Sequence, residues 1–164
     1  MEGVSAILLL GSNDSEARAL LDRAMAMLCS DVGTIIATSK DYESEPYGFT
    51  AEQGFVNRAV EIKCEVEAYE LLRRINHIEA RLGRDREAER RVMLQRGEAY
   101  ASRPIDIDII FYGDDTFMDE RLTIPYHFLD EREYALRPVV DIAAERQHPA
   151  LRYTPREMLD RLTK

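Results

Sequence analysis

Apolar residues change their spacing in a fixed order along this chain, and that order restricts the fold more than any other feature. Ala6-Ile7-Leu8-Leu9-Leu10 is a short unbroken run ending at Gly11, the pattern of a buried strand. Leu20, Leu21, Ala24, Met27 and Leu28 then share one helical stripe, behind Asn13 and Glu16 spaced as a capping box. Small, β-branched and polar residues from Gly33 to Tyr42 suit a second strand. Ser44 to Gly54, with its proline and glycines, reads as a loop. Phe55 to Ile62 alternates, with Val56, Val60 and Ile62 on one face and Phe55, Asn57 and Ala59 on the other. Leu71, Ile75, Ile78 and Leu82 step by four, three and four, a helix closed by Gly83.

Residues 84–102 lack useful periodicity and are read as a long mobile loop, of a length that is usually functional. Pro104 opens a last strand, Ile105 to Tyr112, at a position where proline is tolerated. The order β-α-β-β-α-β is the split βαβ arrangement, so the expected fold is an α+β, ferredoxin-like sandwich. After it, Pro125, Pro138 and Pro149 give loop character before a helix announced by Thr154-Pro155-Arg156-Glu157. The expectation is one domain over 1–164 with a C-terminal extension, and the fold by itself implies no function.

Composition narrows the classes. Among 164 residues, 45 % are hydrophobic and 32 % charged, as in an ordinary globular chain. A net charge of −9 argues against a general nucleic-acid or membrane-surface binder, which needs a positive face. The first residues carry no positive leader and the run Ala6 to Leu10 is too short to span a membrane, so a cytoplasmic protein is expected. Cys29 and Cys64 lie far apart without paired-ligand spacing and read as reduced core residues.

The sharpest local signal is Arg103-Pro104-Ile105-Asp106-Ile107-Asp108-Ile109. In a strand, Asp106 and Asp108 project together while Ile105, Ile107 and Ile109 enter the core. Adjacent carboxylates repel unless a cation joins them, and oxygen ligands on a rigid element suit magnesium, which takes its other ligands from water and phosphate. The plainer reading, the wet face of an edge strand, fits the pair alone equally well. Seven arginines between Arg81 and Arg103 shift the balance, because the guanidinium fork matches phosphate oxygens. Interleaved acids make most of them a solvated charged surface; Arg103, beside the acidic pair, and Arg84, after Gly83, stand out. Phe55 and Asn57 share a face and offer a ring and an amide to a planar heterocycle, although Phe55 alone is more often core. Gly11-Ser12-Asn13 is explained by a tight turn and helix cap. His77, His127 and His148 have no metal-ligand spacing.

Taken together, these blocks resemble the 6-hydroxymethyl-7,8-dihydropterin pyrophosphokinase family of folate biosynthesis. The resemblance runs from Leu9-Leu10-Gly11-Ser12-Asn13 through Tyr42-Glu43-Ser44-Glu45-Pro46-Tyr47-Gly48, Phe55-Val56-Asn57-Arg58-Ala59-Val60, Gly83-Arg84 and Arg103 to Ile109 to Arg121-Leu122-Thr123-Ile124-Pro125 and the final helix. It implies a ferredoxin-like enzyme that passes a diphosphate from ATP to the pterin's hydroxymethyl group, leaving AMP. It implies that Asp106 and Asp108 bind Mg2+, two ions in this family, and that Arg84 and Arg103 hold the phosphates. Ser44, Glu45, Pro46, Tyr47 and Asn57 would read the pterin's edge, with Phe55 and Tyr134 around its ring. Asn76, Glu79, Ile109, Arg121 and Thr123 fall where the family contacts ATP, as do Tyr126 and His127, whose order is inverted relative to the family's His-Tyr. The family's tryptophan-glycine-proline stretch is replaced by Tyr100-Ala101-Ser102. A partner set of pterin and ATP, acting on a monomer, follows from the same resemblance. Two other classes stay open at this level: a non-catalytic ligand-binding module on the same fold, and a magnesium-dependent nucleotidyltransferase.

Overall fold

In the computed structural model, which describes residues 2–45, 54–98 and 103–164, the expected order is present with additions. Strand β1 (Val4–Ser12) leads to helix α1 (Ala17–Asp31), β2 (Gly33–Thr38), β3 (Tyr42–Ser44), β4 (Phe55–Cys64) and α2 (Ala68–Arg81). Helix α3 (Arg86–Arg96) and β5 (Asp106–Tyr112) follow, then a small hairpin of β6 (Phe117–Met118) and β7 (Thr123–Ile124), and helices α4 (Glu133–Ala143) and α5 (Pro155–Leu162). The main sheet runs β2-β4-β1-β5, all neighbours antiparallel, with β3 also on β4. Counting β2 and β3 as one interrupted strand gives the ferredoxin-like order. The break after Thr38 divides the expected second strand: β2 pairs with the far half of β4 and β3 with its near half.

Alternation along the strands sends side chains to two cores. Ala6, Leu8, Leu10, Val56, Val60 and Ile62 pack beneath α1 and α2, where Leu21, Leu28, Leu71, Ile75 and Ile78 are fully buried. On the other face, Ile7, Leu9, Ala59, Ile110 and Phe111 meet Ala135, Leu136 and Val139 of α4 and Met158 of α5. The C-terminal extension therefore supplies a third layer. Burying side chains of this size stabilises by about 1.5–3 kcal/mol each. A bulge where Ile7 pairs with Phe111 and Leu8 with Ile109 puts Asp106, Asp108 and Phe111 on the same face despite their mixed parity.

Several expectations need correction. The segment after Gly83 is not simply a loop, because Arg86–Arg96 forms α3. Its cap is Asp85, whose Oδ1 accepts from Glu87 N and Ala88 N, and Gly97 ends it at φ +64°. None of its residues is buried, which explains the missing apolar stripe. Residues 99–102, including Tyr100-Ala101-Ser102, lie outside the described residues. Pro138 sits inside α4 rather than in a loop, on the buried side with Ala135, Leu136 and Val139. Strand β1 continues through Gly11 to Ser12, so Gly11 is not its end. Asn13 does not cap α1, which begins at Ala17 with no side-chain cap. Its Oδ1 instead accepts from Arg103 N at 2.9 Å. Cys64 is buried, but Cys29 is exposed, because α1 turns it away from the sheet. The α2 terminus agrees with expectation, Gly83 standing at φ +102°, where a side chain would be strained. The Thr154 capping box of α5 is present with both bonds. No helix among the described residues is long and apolar enough to cross a membrane.

His148 closes the turn between α4 and α5. Its Nδ1 accepts from Ala150 N at 3.1 Å and Leu151 N at 3.0 Å, so that nitrogen carries no proton. Burial lowers the imidazole below its ordinary value of 6.5, against the opposing pull of Asp130. A group whose folded value is depressed stabilises fully above the unfolded value and less as pH falls through the folded one. Thermal stability should therefore decline as pH drops below about 6.5. Melting curves of wild type and His148→Gln between pH 7.5 and 5 check this; identical pH slopes would exclude His148 as the source.

Candidate functional site

One row of the sheet forms the floor of a cleft. Asp106 pairs with Gly11, Gly11 with Asn57 and Asn57 with Tyr42, so these positions cross four strands in line. One row further along, Asp108 pairs with Leu9 and Leu9 with Ala59. Beyond that, α4 covers the same face at Ile7 and Phe111. Among the described residues the face is thus roofed at one end and open at the other, where the acids lie. Gly11 keeps the floor low: a Cβ there would stand 3.1 Å from Asn57 Oδ1 and 3.6 Å from Phe55 Cδ1. The resulting cleft is about 380 Å3, within the range of small-molecule sites.

The carboxylates and arginines interlock. Arg84, its side chain only 5 % exposed, gives Nη1 to Asp106 Oδ1 at 2.9 Å and to Glu79 Oε2 at 3.0 Å. Its Nε reaches Glu89 Oε2 at 3.1 Å. Arg103 Nη1 lies 3.5 Å from Asp106 Oδ2, so Asp106 is held between two guanidinium groups. Gly83 and the α2 C-terminus aim Arg84, while Asn13 fixes the backbone of Arg103 from the end of β1. Burial, then the neighbouring carboxylates of Asp106 and Glu79, push the Asp108 carboxyl well above its ordinary range; Arg103 and Arg84 oppose this only in part. Asp108 still keeps some surface open to the cleft. Crowded acids with a raised carboxyl form a donor set that a hard cation relieves. Among the described residues no group of three or more His, Cys, Asp or Glu offers a complete metal cage. Two carboxylates fit magnesium, which completes its shell with water and phosphate.

Most expected site residues line this one cleft. Ser44, Glu45, Phe55, Asn57 and Tyr134 are among its lining residues. Asn57 Nδ2 donates to Ser44 Oγ at 2.9 Å, and Phe55 is half-buried and lines the cleft. Asn76, Ile109, Arg121, Thr123 and Tyr126 line it as well. Pro46 and Tyr47 lie outside the described residues.

Two expected contacts do not line it. Glu79 is buried behind the acids, its Oε2 accepting from Ile107 N at 2.8 Å and its Oε1 from Arg86 Nη2 at 2.6 Å. Burial raises its carboxyl and Arg84 pulls it back. His127 is exposed, its ring edge-on to Phe128 at 4.8 Å, because Tyr126 N is tied to Ile110 O and the next side chain points away. Tyr126 is the member that turns inward, its hydroxyl 3.3 Å from that of Tyr134. Burial and then Asp108 raise the Tyr126 phenol, keeping it protonated. Arg86 and Phe128 also line the cleft and were not assigned there from sequence. The arginine cluster pointed towards Arg86; for Phe128, two residues after Tyr126, the spacing was the available signal.

A ferredoxin-like sheet with paired acids, buried arginines and an aromatic slot at its open end defines the class, an enzyme of phosphate-group transfer. The chain belongs to the 7,8-dihydro-6-hydroxymethylpterin-pyrophosphokinase (HPPK) family, whose model matches residues 7–144. A 2-amino-4-hydroxy-6-hydroxymethyldihydropteridine pyrophosphokinase of Methylorubrum extorquens is 38 % identical over 137 residues, covering 83 % of this chain and 80 % of the relative. The protein of that name from Bacillus subtilis is 31 % identical over 141 residues, 85 % of this chain and 78 % of the relative. A Plasmodium falciparum HPPK-DHPS structure superposes with a TM-score of 0.77 at 18 % identity, covering 98 % of this chain but 44 % of that one, so the chain spans under half its length.

Proposed function

We propose that this cleft performs the family's diphosphate transfer, in which ATP gives its β,γ-diphosphate to the hydroxymethyl oxygen of 6-hydroxymethyl-7,8-dihydropterin and leaves as AMP. The observation that carries the reading is the placement of Asp106 and Asp108 on one strand face, with Arg84 and Arg103 beside them and the rings of Phe55 and Tyr134 lining the same cleft. Phe55 and Tyr134 sandwich the pterin ring, and Asn57, Ser44 and the chain from Glu45 through Pro46 and Tyr47 read its polar edge. Asn76, Ile109, Arg121, Thr123 and Tyr126, which line the same cleft, contact ATP. In the transfer, the hydroxymethyl oxygen bonds to the β-phosphorus and gives up its proton to water, and the bond from that phosphorus to the α,β-bridging oxygen breaks with its electron pair going to AMP. Arg84 and Arg103 neutralise the charge that accumulates on the phosphate oxygens. Asp106 and Asp108 would hold Mg2+, two ions by family resemblance, which supplies charge neutralisation and polarises phosphate oxygens. The whole chain acts as one cytoplasmic, monomeric domain.

Incubation with magnesium, ATP and the reduced hydroxymethylpterin tests this by nucleotide analysis. AMP is the expected product; pyrophosphate release would indicate a nucleotidyltransferase, and no turnover a binding module. Gly11→Ala places a methyl group against Asn57 and Phe55. We expect it to raise the pterin KM by about tenfold, roughly 1.4 kcal/mol, with the ATP KM little changed. Equal KM values in variant and wild type would remove Gly11 from the floor of the pterin site.

A further inference from the structure

We propose that Asp141 is a positioning residue that sets the width of the slot between α4 and β3, an inference resting on the pterin reading of that slot. Tyr134, which lines the cleft, stands in the first turn of α4. Asp141 lies seven residues further along the same helix, two turns on, and therefore on nearly the same side. It sits outside the cleft, where two donors, the Tyr42 hydroxyl in a bifurcated bond and the Lys40 N–H, converge on its carboxylate. Tyr42 Oη donates to Oδ1 at 2.8 Å and to Oδ2 at 2.9 Å, and Lys40 N donates to Oδ2 at 3.2 Å.

Tyr42 opens β3, the three-residue strand that ends at Ser44. Ser44 lines the cleft from β3 and accepts from Asn57 Nδ2, while Asn57 pairs with Tyr42 in register. One rigid helix thus carries one wall and the tether of the other. Apolar packing of Ala135, Leu136 and Val139 against Ile7, Leu9 and Ala59 fixes α4 to the sheet with or without Asp141. What the carboxylate adds is the distance from that helix to β3. Because β3 is short and, among the described residues, pairs with β4 alone, a lost tether lets Ser44 drift while the acids and arginines, held by β5 and α2, stay in place.

The test is Asp141→Ala, with Tyr42→Phe removing the same bond from the other side and Asp141→Asn as the conservative variant. The expected result is a pterin KM raised by about three- to tenfold in Asp141→Ala and Tyr42→Phe, as the loss of a solvent-exposed hydrogen-bond cluster allows. kcat and the ATP KM stay within about twofold, since nothing on the phosphate side moves. Asp141→Asn, which still presents one acceptor oxygen to Tyr42, recovers most of the loss. Direct titration with 6-hydroxymethyl-7,8-dihydropterin in the absence of turnover should weaken by the same factor. Unchanged pterin binding in both Asp141→Ala and Tyr42→Phe overturns the inference, as does a fall in kcat with both KM values raised together, which would mark general loosening. Wild-type protein that binds no pterin in that titration would instead sink the functional reading beneath it.

Discussion

Replacing Asp108 with asparagine is expected to lower kcat by about 10³-fold or more, roughly 4 kcal/mol, while leaving the folded chain at least as stable as wild type. The catalytic loss follows from chemistry: an amide keeps the shape of the side chain but cannot supply the anionic oxygen that a hard cation requires. The stability expectation follows from the surroundings. Asp108 lies beside Asp106 on one strand face, and its carboxyl is held well above the ordinary range by burial and by the Asp106 and Glu79 charges. The folded state thus takes up a proton more readily than the unfolded one, so the ionised form opposes folding as pH rises above the unfolded value, and at neutral pH that penalty is present. Asparagine removes it. Melting temperatures without magnesium, set beside AMP production with saturating magnesium, separate the two effects. A variant that keeps most of its turnover would remove Asp108 from the metal site. One that melts far below wild type would show the carboxylate to be structural. A stabilised but inactive variant is the pattern of an active-site group retained against the interest of the fold.

The main sheet was legible because its strands alternate and its first two helices carry clean stripes. The residues Val56, Val60 and Ile62 face one core and Ala59 the other, as their spacing requires. Two helices were not legible, for opposite reasons. Helix α3 buries nothing, so only Asp85 and Gly97 mark it, and a capped charged segment resembles a loop when periodicity is the criterion. Helix α4 has the stripe Ala135, Leu136, Val139 and Ala143, but Pro138 within it reads as a breaker. In the site, Asp106, Asp108 and Asn57 were readable from strand parity, because side chains two apart share a face. Gly11 joins them only through pairing with both Asn57 and Asp106, which no local pattern encodes. Asn13 was misread for the same reason. A residue with cap chemistry at cap spacing instead bonds a backbone ninety positions away. Long-range partners of polar side chains are what the linear pattern leaves open.

Glu79 shows the largest consequence of such a partner. It was expected at the nucleotide, yet it is 1 % exposed and joins α2 to the outer edge of β5. Its Oε2 accepts from Ile107 N at 2.8 Å, between the two acids, and also from Arg84 at 3.0 Å. Truncation in Glu79→Ala would strand a buried edge N–H and leave Arg84, itself 5 % exposed, with one carboxylate fewer. Removing one partner of a buried pair typically costs about 3–5 kcal/mol. For a chain of this length each kcal/mol lowers Tm by roughly 2–4 °C, so a fall on the order of 10 °C is expected. Activity should drop as well, because the bond to Ile107 sets the height of β5 beneath Asp106 and Asp108 and the bond to Arg84 sets its aim. Glu79→Gln separates these roles. Its amide oxygen can still accept from Ile107 N, but the charge on Arg84 loses its buried counterpart, so melting should recover more than turnover does. Thermal melts and AMP assays on both variants decide the matter. If Glu79→Ala melts with wild type and only its ATP KM rises, the carboxylate acts on the nucleotide after all, and its place behind the acids is not what matters.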